Sequence, residues 1–194
     1  MIFQLIALLI LASFYAIYIR KMILQKKKGI QTDQIAKGNK TGKLFKIEFI
    51  MKLATYSIVA VEIVSICLNT KFPFLWLRIA GIVLGIIGII IFGIAVYTMQ
   101  DSWRAGIPQK DRTKLIISGI FNISRNPAFL AFDLVYLGIL FMFFNWILFL
   151  FTLWAIIMLH LQIKQEEKFL TTAFGDKYLN YKKQTRRYMG RRNN

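Results

Sequence analysis

The sequence is poor in the residues that build disulfides, metal centres and paired acids. Its 194 residues hold one cysteine, one histidine, three prolines and nine acids, against 26 lysines and arginines. Cys67 alone closes no internal disulfide, and with His160 as the one histidine no zinc-ligand spacing exists. A metal site built on histidine or cysteine is excluded, and no metal is expected. No Gly-x-Gly-x-x-Gly stands between a strand and a helix, so a soluble nucleotide-binding fold is excluded too. The shortage of acids leaves a net charge of +17. Nucleic acid is not the partner this implies. The basic residues cluster beside apolar runs, where they act as topology signals and as contacts for anionic lipid. What the chain has in plenty is apolar surface: 57% hydrophobic residues and a mean hydropathy of +0.53, which place it in the membrane class.

Five apolar segments approach the roughly 20 residues that a bilayer-crossing helix needs. They run over about 2–19, 49–68, 74–97, 127–144 and 146–163. The expected fold is an all-α integral membrane domain spanning residues 1–194. It has five transmembrane helices, a C-terminal helical hairpin turning at Asn145, and a cytosolic amphipathic tail. The first segment is followed, not preceded, by charge at Arg20-Lys21 and has no small-residue cleavage site, so it reads as a retained helix. The stretch 20–48 is basic, and Gly29, Gly38 and Gly42 are expected to break any helix in it. A plain loop is the default there, with a mobile lid or a lipid-surface anchor as alternatives. Asn69 to Pro73 reads as a short turn.

Charge bias sets the orientation. Residues 20–48 carry nine lysines and arginines, 98–126 carry five, and the tail after Ile163 carries nine. The short opposite connections offer little beyond Lys71. The positive-inside rule then puts the N-terminus outside and the C-terminus in the cytosol.

Polar residues at the cytosolic edges are the candidates for chemistry. Gly119-Ile120-Phe121 leads to Ser124-Arg125-Asn126-Pro127-Ala128-Phe129. After one hairpin come His160, Glu166-Glu167, Phe174-Gly175, Tyr178, Tyr181 and Arg187. Pro127 suits the first turn of a helix, which places Arg125 and Asn126 at that helix's N-terminus, where backbone N–H groups and the dipole favour an anion. His160 and Glu167 are seven apart and share a face if the fifth helix continues unbroken, with Glu166 pointing about 100° away. Taken singly, each of these residues has a plainer reading: a lipid-phosphate anchor for Arg125, an interfacial polar group for His160, solvated helix charges for the two glutamates, belt aromatics for the tyrosines. Their joint order is what counts against those readings.

That order resembles the integral-membrane methyltransferases of the isoprenylcysteine carboxyl methyltransferase and phospholipid methyltransferase superfamily. Their pattern reads G-x-Y, R-H/N-P-x-Y, H, E-E, F-G, Y, Y, R. The resemblance covers roughly residues 81 to 190. It departs at Phe121 and Phe129, which stand for the more usual Tyr, and at Asn126, which stands for the commoner His, as in a bacterial-type member. The resemblance implies S-adenosylmethionine as cofactor, bound by a part of the chain at about 99–190. It implies cofactor contacts at Arg125, Asn126, Pro127, Phe129, His160, Glu166, Glu167, Tyr178, Tyr181 and Arg187. Arg125 and Glu167 are the expected catalytic pair. An Arg guanidinium suits the cofactor's carboxylate as a bidentate fork. Which of Glu166 and Glu167 contacts cofactor stays open.

The implied partner is a lipophilic acceptor, prenylcysteine-like carboxylate or phospholipid amine, together with membrane lipids; the implied site is the plasma (inner) membrane of a prokaryote. Trp103-Arg104-Ala105-Gly106 resembles a further family element, and Trp103 and Arg104 are substrate-side candidates. So is Asp133, because an acid inside a span is costly and a functional candidate by default. Glu62, also inside a span, is assigned to helix packing. Gly81, Gly85 and Gly88 form a small face for close helix contact. Two other functions are set against this one: a membrane reductase using a nicotinamide cofactor, and a non-enzymatic lipid-binding protein.

Overall fold

The computed structural model describes residues 1–70, 74–108 and 113–192. Residues 71–73 of the predicted turn, and 109–112 with two of the counted basic residues, lie outside it. Six α-helices follow one another: α1 (Ile2–Lys27), α2 (Gly42–Cys67), α3 (Leu75–Met99), α4 (Pro127–Met142), α5 (Trp146–Phe174) and α6 (Asp176–Gln184). Short 3-10 turns cover Gln100–Ser102 and Gly119–Asn122.

Four of these, α1, α2, α3 and α5, are long and apolar enough to cross a membrane. The fourth apolar segment falls short. It forms the 16-residue α4, and at 1.5 Å per residue that is roughly 24 Å, less than the hydrocarbon core. The four long helices are apolar on both faces. Along α3, Val83, Ile86, Ile87, Ile90 and Ile94 are exposed while Gly81, Gly85, Gly88 and Phe92 are buried. A helix apolar all round needs lipid or protein on every side, which marks an integral membrane protein.

The expected segment ends move in three places. α1 runs eight residues past Ile19, to Lys27. α2 starts at Gly42, so that glycine opens a helix instead of breaking one. Only 28–41 of the basic stretch is irregular. Lysine stems can lie along a helix while their ammonium groups reach water, so charge alone does not end a helix at the membrane edge. α5 continues unbroken past Ile163 for three further turns and ends at Gly175, whose φ is +52°.

Packing follows the small face. α3 lies along α4, and a Cβ on Gly138 would stand 2.7 Å from the Gly81 carbonyl and 3.0 Å from the Gly85 N. A Cβ on Gly88 would stand 2.8 Å from Val135 and 2.9 Å from the Ala131 carbonyl. The two backbones meet only because neither carries a side chain there. α2 lies along α5. Asn145 turns the hairpin as expected: its Oδ1 accepts from the Leu148 N–H (2.9 Å), capping α5, and its Nδ2 donates to Ser65 Oγ (2.9 Å) on α2. Phe14, Phe92 and Phe132 fill the centre, with ring centroids 4.5 and 4.7 Å from Phe14.

Candidate functional site

The polar residues gather at one end of the bundle, where α4 begins, α5 leaves the apolar zone and the chain returns after α6. Pro127 occupies the first turn of α4 with Asn126 as N-cap, as its missing N–H allows. Arg125 is placed by backbone bonds to the C-terminal turn: its N–H donates to the Arg186 carbonyl (3.1 Å), and the Gly190 N–H donates to the Ile123 carbonyl (2.8 Å).

Glu167 is the centre of a buried ion cluster. Arg125 Nη2 lies 2.9 Å from its Oε1. Arg187 grips both oxygens, Nε at 3.0 Å and Nη2 at 2.8 Å, in the fork geometry that suits a carboxylate. Asn126 Nδ2 adds a contact at 3.4 Å and also donates to the Arg187 carbonyl at 3.2 Å. The Glu167 hydrogen bond holds the Arg187 guanidinium above its ordinary pKa. Arg125 has capacity left over. Its Nε and Nη1 are buried without a partner among the described residues.

Those two atoms belong to a side chain that lines a cleft. Asn126, Pro127, Phe129, Glu166, Tyr178 and Tyr181 line it as well, with Trp103, Arg104 and Phe121. Tyr181 Oη donates to the Phe121 carbonyl (2.6 Å), which fixes the aromatic wall. Burial pushes the Tyr178 and Tyr181 phenols up, so both stay protonated.

A second, apolar cleft lies beside the first, between α1, α2, α4 and α5. Tyr15, Tyr18, Met22, Tyr56, Phe92 and Phe132 line it, with Lys52 on α2 as a charged member. The two clefts share a wall of Trp103, Arg104, Gly106, Ala128, Phe129 and Glu166. Gly106 (φ +84°) is required there, because a Cβ would meet the Ile35 N at 2.9 Å.

Ten residues were expected at a cofactor, and seven of them line the first cleft. Glu167 and Arg187 stand behind its wall and hold Arg125. His160 is brought onto the Glu167 face of α5, as the unbroken helix requires, but it lines neither cleft. Its Nδ1 is 2.6 Å from Tyr188 Oη, with the rings stacked at 5.9 Å. Of the substrate-side candidates, Trp103 and Arg104 lie on the shared wall, and Asp133 is on neither cleft, with its Oδ1 unpartnered among the described residues. Glu62 is fully buried, and neither oxygen has a partner among the described residues.

Sequence reasoning missed Gln162, Glu48, Lys40 and Tyr188. Gln162 carried a signal: it precedes Glu166 by four on a helix, the spacing of facing side chains.

The phospholipid methyltransferase family model matches residues 76–177, just over half of the chain. No curated protein matches the chain.

Proposed function

Because the chain belongs to the phospholipid methyltransferase family, we propose that it moves a methyl group from S-adenosylmethionine in the first cleft to a lipid in the second. The carrying observation is Arg125, whose Nε and Nη1 have no partner among the described residues and whose side chain lines the cleft at the N-terminus of α4. Buried donors without acceptors are uncommon and costly. A cofactor carboxylate would supply an acceptor at Nη1, and the helix N-terminus adds to the attraction. The donor set therefore fits the cofactor.

When bound, S-adenosylmethionine supplies a sulfonium methyl whose bonding pair stays on sulfur as the methyl leaves. The chain's own residues do the rest. Arg125 holds the carboxylate and is itself held by Glu167. Tyr178, Tyr181 and Phe121 form the flat wall that suits an adenine. Phe129, Ala128 and Trp103 divide the clefts and keep water from the reacting centre. Glu166 is the carboxylate left uncommitted to an arginine, and it lies on both clefts.

The acceptor is read from the same wall. Glu166 offers its carboxylate on the second cleft, and Gln162, which also lines it, has a buried Oε1 without a partner among the described residues. Two acceptor groups suit an N–H nucleophile, whose proton Glu166 takes as the C–N bond forms. The apolar cleft holds the tail, and Lys52 suits a phosphate. The substrate class is thus an aminolipid. With the positive-inside bias, this reading places the clefts, α6 and the C-terminus in the cytosol of a prokaryotic inner membrane, with α4 and α5 as the closing hairpin of one domain.

The test is transfer of tritiated methyl from S-adenosylmethionine into vesicle lipid by the purified chain. Phosphatidylethanolamine vesicles are expected to take up label and phosphatidylglycerol vesicles are not. Equal labelling of both, or labelling of neither, rejects the aminolipid.

A further inference from the structure

Behind the shared wall lies a second buried ion pair that the proposed reaction does not use. Glu48 on α2 and Lys40 in the 28–41 segment are both shielded from solvent, with Nζ 2.9 and 2.6 Å from the two carboxylate oxygens. The Ala36 N–H donates to Glu48 Oε2 (2.6 Å) and the Ile107 N–H to Oε1 (3.1 Å). Gln162 Nε2 stands between two acids, 3.4 Å from Glu48 Oε1 and 3.3 Å from Glu166 Oε1. An amide nitrogen has two N–H groups, here one for each carboxylate. The reversed amide would turn its carbonyl toward two anions. The order is therefore Lys40, Glu48, Gln162, Glu166, running from the basic segment to the wall of the clefts.

A pair this deep adds little net stability, since desolvation offsets the attraction. What it does here is fix places. It ties the 28–41 segment, the residues around Ile107 and α5 to one carboxylate, directly behind Glu166. We propose that Glu48 and Lys40 are positioning residues for Glu166, acting through Gln162 to hold its carboxylate at the shared wall and to set the charge around it. The inference rests on the S-adenosylmethionine cleft proposed above.

The charged and titratable groups that line the clefts with Glu166, or back their shared wall, come from several elements. α1 brings Tyr15 and Tyr18, α2 brings Glu48, Lys52 and Tyr56, and the irregular segment brings Lys40. Residues 100–126 bring Arg104, Lys114 and Arg125, and α6 brings Tyr178 and Tyr181. On α5 itself, Glu167 is turned to its arginines. Glu48 is the negative charge one amide away. A like charge makes a carboxyl hold its proton more tightly, and an opposite charge loosens it. Lys40 and Glu48 therefore act on Glu166 with opposite signs.

The experiment is the affinity for S-adenosylhomocysteine, measured calorimetrically against pH on the detergent-purified full chain. Wild type is expected to show a pH midpoint that Glu166→Gln removes. Lys40→Met leaves Glu48 its backbone donors but no counter-charge, and is expected to raise the midpoint by about one pH unit. Glu48→Gln is expected to lower it. Both shifts are expected to vanish in a Glu166→Gln background. Damage to the fold alone weakens binding at every pH and moves no midpoint. Should Lys40→Met not fold, Glu48→Gln (downward) and Gln162→Leu (upward, through loss of a donor) decide the matter. Midpoints that stay put, or that move the same way in both charge variants, overturn the proposal. Absence of binding by folded wild type at all pH values overturns the cofactor reading and this inference with it.

Discussion

Adjacent carboxylates on one helix point about 100° apart, and on α5 that angle divides their partners. Glu167 faces α4 and the C-terminal turn and holds Arg125 and Arg187; Glu166 faces the clefts. Glu167→Ala strands a buried guanidinium. It is expected to cost about 3 kcal/mol of stability, read as a fall in Tm, and to weaken S-adenosylhomocysteine binding by more than tenfold through a displaced Arg125. Glu166→Gln is expected to keep the Tm while slowing methyl transfer by at least about a hundredfold, the usual scale for a lost general base. Tyr188→Phe removes the bond to His160 and nothing that lines a cleft. Affinity for the cofactor product within twofold of wild type is the expected result, and a larger loss would put His160 back at the cofactor.

At the scale of elements, the glycines of α3 and α4 decide how closely two backbones approach. Gly138→Ala places a methyl against the Gly81 carbonyl and the Gly85 backbone, atoms that cannot rotate away. A loss of about 2 kcal/mol is expected, seen as a lower Tm in detergent. Gly93 faces only Ile17, 3.8 Å from a built Cβ. Gly93→Ala is expected to be neutral or to stabilise by up to about 1 kcal/mol, the helix propensity gain. This small face was legible in the sequence, as were the Asn145 hinge and Pro127 at the start of α4. Each depends on a local rule. The length of α1, the start of α2 and the pinned 28–41 segment were not legible. They depend on Gln25, Thr32, Gln34 and Glu48 meeting the 100–107 stretch: Gln25 Nε2 donates to the Trp103 carbonyl (3.2 Å), and the Gln34 N–H to the Ala105 carbonyl (2.7 Å). No periodicity announces contacts that far apart in the chain. The same holds for the site. Arg125, Glu166 and Glu167 stood out by type and order, whereas the division of labour between the glutamates needed the position of Arg187.

For the whole molecule, the account joins a polar cleft on the basic side of the bundle to an apolar cleft among the helices, with Glu166 at their common wall. The orientation is testable through Cys67, the one cysteine, exposed at the end of α2 away from the clefts. A membrane-impermeant maleimide is expected to label it on intact cells. In a Cys67→Ser background, Thr172→Cys on the far end of α5 is expected to react only after the membrane is opened. The measurement closest to the central claim is titration of S-adenosylhomocysteine into the purified chain beside Arg125→Ala. Micromolar binding by wild type that falls at least tenfold in a folded Arg125→Ala protein is the predicted result. Undiminished binding by that variant, or none by folded wild type, would contradict the account.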